Sequence, residues 1–89
     1  METLKRTFYS DPSHGWLKVD YSELAELGIL KQISSCSYRR GNAVYLEEDC
    51  DAGVYVKAMY ERGKSLTFDE NHSDNNSVIR SYCAYYVTN

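Results

Sequence analysis

The chain has 89 residues, 43% hydrophobic and 26% charged, and its thirteen acidic against ten basic side chains give a formal net charge of -3. This length holds one domain around a single core, and the composition is that of a folded chain rather than a disordered one. The acidic balance argues against a sequence-independent nucleic-acid binder, and no run approaches the roughly 20 apolar residues of a membrane span.

No apolar stretch follows Met1-Glu-Thr-Leu-Lys-Arg6 as it would in a secretory signal. The three cysteines, Cys36, Cys50 and Cys83, are odd in number and contain no CxxC pair. That pattern fits a reducing compartment, so a cytoplasmic protein is expected. The unusual component is tyrosine, nine copies against two Phe and one Trp. Tyrosine suits both half-buried strands and protein-binding surfaces.

In chain order, Thr7–Ser10 and Gly15–Val19 are β-prone runs separated by Asp11-Pro-Ser-His14, which predicts a hairpin with Trp16 as its core anchor. Asp20-Tyr-Ser-Glu23 has the form of a helix start, with Asp20 as cap and Gly28 as stop. Ile33–Arg40 alternates and is followed by Gly41-Asn42 and Ala43–Glu47, so a second hairpin is expected there. Asp49 or Asp51 would cap the next helix, whose apolar stripe is Ala52, Tyr55, Val56, Met59 and Tyr60, with Gly63 ending it. Ser65–Asp69 reads as a strand, Asp69–Ser77 as an exposed loop, and Val78–Val87 as a strand for which a short helix is the alternative. The fold class is therefore α+β, a mostly antiparallel sheet of about five to six strands with two helices on one face.

Spacing argues against most chemistry. His14, His72 and the cysteines lack zinc-ligand spacing, and Asp69–Asn75 lacks the glycine and distal glutamate of a calcium loop, so no metal site is assigned. No nucleophile elbow, dinucleotide fingerprint or phosphate-binding glycine loop occurs. The thiols are expected to be small buried residues. The chain therefore reads as a non-enzyme without a cofactor.

Two features remain as binding candidates. Tyr38, Arg39 and Arg40 at a hairpin tip mix aromatic and basic character as single-strand binders do, although two arginines at a turn are usually just solvated. Glu47, Glu48, Asp49 and Asp51 occupy four of five consecutive positions. Helix-start electrostatics accounts for two of these, leaving Glu47 and Glu48 for a basic partner or for solvent.

The pieces Asp11-Pro-x-His-Gly-Trp-Leu17, Tyr38-x-Arg-Gly41 and Val44-Tyr-Leu-Glu-Glu-Asp-x-Asp-Ala52 resemble a family of small uncharacterised proteins of bacteriophages, prophages and plasmids. The resemblance implies a mobile-element setting inside a bacterial host and no particular chemistry. In such a setting small acidic proteins bind and block host factors such as a restriction or CRISPR effector, which is analogy at the level of class. The expected activity is protein–protein binding, with Tyr38, Arg39, Arg40, Glu47, Glu48 and Asp49 facing a host protein. The alternative is a small nucleic-acid-associated regulator. A homodimer through an exposed Tyr-rich C-terminal edge is a further expectation.

Overall fold

The computed structural model describes residues 2–88. The elements are β1 (Glu2–Ser10), β2 (Gly15–Asp20), α1 (Tyr21–Glu26), β3 (Tyr38–Arg40), β4 (Ala43–Glu47), α2 (Ala52–Glu61), β5 (Lys64–His72) and β6 (Cys83–Ala84). Single 3₁₀ turns occupy Leu30–Gln32 and Val78–Ser81. The six strands form one sheet in the order β5-β1-β2-β4-β3-β6. Only the β1–β5 ladder is parallel. The expected α+β class, mostly antiparallel with two helices, is what forms.

Strand alternation sorts the core. Leu17 and Val19 stand opposite Leu46 and Val44 on adjacent strands, and their side chains share one face of the sheet. Leu24 of α1 and Tyr55 and Met59 of α2 close over that face to complete the main core. Burying each such aliphatic side chain contributes about 1.5–3 kcal/mol relative to exposure.

The opposite face is aromatic. Trp16, Tyr45 and Ile79 form a second buried cluster against Tyr9, Tyr38 and Tyr82. Among the described residues no α-helix packs into this cluster; Ile79 of the Val78–Ser81 3₁₀ turn does. Asp11 holds that turn in place, accepting from Arg80 Nε at 2.6 Å and Nη2 at 3.0 Å, and from Ser77 N at 3.0 Å. The same carboxylate accepts from Ser13 N and His14 N and so shapes the β1–β2 turn. Gly15 follows because a methyl group there would overlap the Phe8 ring.

Several expectations need correction. Asp20 stands at the α1 cap position, but its side chain makes no capping bond. Asn42 of the β3–β4 turn serves instead, its carbonyl accepting from Tyr21 N and its Oδ1 from Ser22 N. A tertiary contact thus supplies what a local cap was expected to give.

Ile33–Arg40 is not one strand, because its first half is a turn bound to Asp51 and only Tyr38–Arg40 pairs. Residues 69–72, expected in a loop, extend β5, since pairing with β1 satisfies their backbone through Ser10↔His72. Val78–Val87 is neither a long strand nor a helix. Ser77 Oγ accepts from Ile79 N and starts a 3₁₀ turn, after which two residues pair with β3.

In α2, only Tyr55 and Met59 of the expected stripe are buried, and Val54 and Ala58 pack beside them. The helix is rotated so that Val56 and Tyr60 are 38% and 66% exposed. The cysteines, expected inside, are all exposed because each lies on a turn or an edge strand.

Candidate functional site

The acidic run divides by burial. Glu47, at the end of β4, is only 7% exposed. Its Oε2 accepts from Asp49 N and Cys50 N, both at 2.8 Å, so it ties down the turn that leads into α2. The sequence reading left Glu47 for a basic partner or for solvent; instead its Oε2 is taken up by the backbone. Nor does Asp49 or Asp51 cap α2 with its side chain.

Asp51 is buried and turned away from the helix, accepting from Ser34 N at 3.0 Å, Ser34 Oγ at 2.8 Å and Ser37 Oγ. Ser37 Oγ in turn accepts from Glu47 N at 2.9 Å. Two turns distant in sequence are thereby clamped together. That leaves Glu48 and Asp49 as the exposed members of the run.

The hairpin tip is also committed to the fold. Successive strand residues face opposite ways, so Arg39 and Arg40 do not form one patch. The Arg39 guanidinium lies 3.6 Å from the Tyr21 ring centroid and 4.5 Å from that of Tyr86. It donates to Gly41 O, Tyr86 O and Thr88 Oγ1. This arginine fastens residues 86–88 to the sheet. Arg40 is exposed but rests near Tyr82, donating to its hydroxyl at 3.3 Å. Tyr38 is half-buried against Trp16.

Two surface clefts flank the acidic turn. The first, of about 270 Å³, is lined by His14, Trp16, Cys36 and Cys50 together with Tyr38, Glu47, Asp49 and Arg80. His14 Nδ1 approaches Glu47 Oε1 at 3.6 Å across it. The neighbouring Cys36 thiol and then the Glu47 carboxylate push the Cys50 thiol up to about 12. At neutral pH that thiol keeps its proton and is a poor nucleophile. No group of three or more His, Cys, Asp or Glu among the described residues has the geometry to hold a metal.

The second cleft, of about 250 Å³, is apolar in its floor and acidic at its rim. Phe8, Leu17, Ala52, Val56 and Phe68 form the floor and walls, and Glu48 and Glu70 flank them. Its origin is structural. Phe68 pairs with Arg6 and Glu70 with Phe8, so both lie on the helix-bearing face but at the outer strand, beyond the cover of the rotated α2. Phe68 remains 46% exposed.

The six residues singled out from sequence therefore do not make one surface. Tyr38, Glu47 and Asp49 share the first cleft, Glu48 borders the second, and Arg39 and Arg40 serve the C-terminal segment. Phe68, Val56 and Glu70 were missed. The alternation of Leu66 and Phe68 was legible, but it reads as core unless the strand is known to be outermost. No helix among the described residues is long and apolar enough to cross a membrane. No family model, curated protein or solved structure matches the chain.

Proposed function

We propose that this chain is a non-enzymatic protein-binding module, acting in a bacteriophage or plasmid setting on a host protein. The supporting observation is the apolar cleft around Phe68, which the carboxylate-bearing Glu48 and Glu70 also line. An open apolar cleft bordered by like charges suits a partner that inserts an aliphatic or aromatic residue flanked by lysine or arginine. Beside the cleft, β5 is a nine-residue outer strand with no neighbour on its far side among the described residues. An extended segment of the partner would add to it while its anchor side chain fills the cleft. Inhibition of a host defence factor is the mode of action this setting suggests.

The nucleic-acid alternative draws less support, since Arg39 is held between two tyrosines. The test is capture from bacterial lysate at low salt by the wild-type chain and by Glu48→Lys with Glu70→Lys. The proposal expects a partner whose capture is lost on charge reversal and weakens with salt. A partner retained equally by both proteins sinks it, as does capture that disappears on nuclease treatment.

A further inference from the structure

The first cleft holds two nucleophilic side chains that the binding proposal does not use. Cys36 and Cys50 are both exposed and both line the cleft. Their juxtaposition is built into the fold. Cys36 sits in the turn whose Ser34 and Ser37 bind Asp51, and Cys36 N donates to Ser34 Oγ at 3.2 Å. Cys50 sits in the turn held by Glu47, one residue before Asp51. The Asp51 clamp therefore brings together two thiols from turns fourteen residues apart in the Ser37–Asp51 bond. Cys83 lies on β6 and does not line this cleft.

We propose that Cys36 and Cys50 are a peroxide-reactive dithiol that closes to an intramolecular disulfide. Cys36 attacks one oxygen of hydrogen peroxide as its thiolate; the O–O bond breaks, water leaves, and Cys36 becomes a sulfenic acid. Cys50 then attacks the Cys36 sulfur, displacing hydroxide, which takes up the Cys50 proton as a second water. Two thiols are oxidised by two electrons and one peroxide is reduced to two waters. The order follows from the surroundings: the Glu47 carboxylate disfavours a Cys50 thiolate, so Cys36 makes the first attack, and Cys50 reacts only with the more electrophilic sulfenic sulfur, giving up its proton to the departing hydroxide. The closed form would join the Ser34–Ser37 turn covalently to the turn bearing Glu48 and Asp49.

The test uses the whole chain, reduced, freed of reductant and treated with stoichiometric hydrogen peroxide, followed by alkylation and mass spectrometry. The expected product is a monomer lighter by two hydrogens, with Cys83 alone alkylated and a Cys36–Cys50 linked peptide that dithiothreitol removes. Cys83→Ser should give the same product. Cys50→Ser should instead accumulate a sulfenic acid at Cys36 that dimedone traps, and Cys36→Ser should leave Cys50 reduced. The same oxidation in urea should reduce the preference for this pair to the modest advantage of its shorter loop, since the clamp is gone. Equal alkylation of all three cysteines after peroxide would overturn the proposal, as would disulfides that join two chains through Cys83. A Cys36–Cys50 preference undiminished in urea would assign the pairing to sequence proximity rather than to the fold, and would also overturn it.

Discussion

The two edges of the sheet are opposites. At the β6 edge, strand pairing amounts to two residues, yet the chain around it is tied down repeatedly: Tyr85 N donates to Ser37 O, Tyr85 Oη to Leu30 O, and Thr88 N to Tyr21 Oη. Arg39 adds its contacts to Tyr21 and Tyr86. At the β5 edge, nine residues pair on one side only, and among the described residues no strand pairs with the outer side. An exposed edge is a template for pairing with another chain unless it is shortened, charged or covered. Here one edge is short and covered and the other is long and open. The C-terminal edge is thus a poor place for a second copy to add, whereas β5 is the edge on which the proposed binding rests.

Variants that break the closed edge should cost stability, and variants on the open edge should cost binding alone. The largest effect is expected at Asp11, whose carboxylate accepts from five donors and seats the Val78–Ser81 turn. Asp11→Ala should release the C-terminal segment at neutral pH, read as lost amide protection over residues 78–88 by hydrogen exchange. The Arg80 guanidinium holds this carboxyl well below the ordinary aspartate value of 3.8. Its stabilising effect is therefore complete above about pH 4 and drains as pH falls toward the folded value. In urea titrations the wild-type chain should lose stability below about pH 4, and Asp11→Asn should flatten that part of the acid slope.

Next in size is Asp51→Ala, which leaves Ser37 Oγ and Ser34 N without their acceptor and should cost about 3 kcal/mol in urea unfolding. It should also abolish the fold-directed pairing of Cys36 with Cys50, which makes it a second check on the dithiol. Arg39→Ala should cost about 1–2 kcal/mol through its lost tyrosine contacts and hydrogen bonds. Its signature is faster exchange at the Thr88 amide, not a change in partner capture. Smallest is Phe68→Ser on the open edge, expected within about 1 kcal/mol of wild type because the ring is already half in water. If that variant unfolded the chain, or kept full partner binding, the contrast between the edges would fail.

What was legible in the sequence is what local pattern controls. The β3–β4 hairpin turn at Gly41-Asn42 forms where Gly41 supplies a φ of 61°, and α2 begins and ends within a residue or two of its expected limits. The α+β class follows from those elements. Less legible was anything decided by distant partners. Asp51 was read as a cap because it precedes a helix, but serines fourteen and seventeen residues upstream compete for its carboxylate and win. Val78–Val87 has the composition of a strand, yet Asp11, sixty-six residues from Ser77, draws the start of that segment into a turn. Glu47 is the exception, because its bonds to the amides two and three residues on are local and could have been anticipated. The candidate cleft was invisible because it depends on which strand is outermost, and only topology decides that.

The parallel β1–β5 ladder also bears on how the chain reaches its fold. Thr3 and Ser65, hydrogen-bonded across it, are 62 residues apart. While the chain is being synthesised, β1 has only its short antiparallel contact with β2 until β5 has left the ribosome. Pairings this distant must close a long loop before they return any stabilisation, so assembly of the sheet is slowed by topology rather than by weak local structure. During that interval the open side of the molecule would be β1, and in the finished protein it is β5. The edge proposed to meet a partner is therefore formed late, ahead only of the C-terminal segment that supplies β6, and a nascent chain would acquire the proposed binding surface only after most of its length has been synthesised.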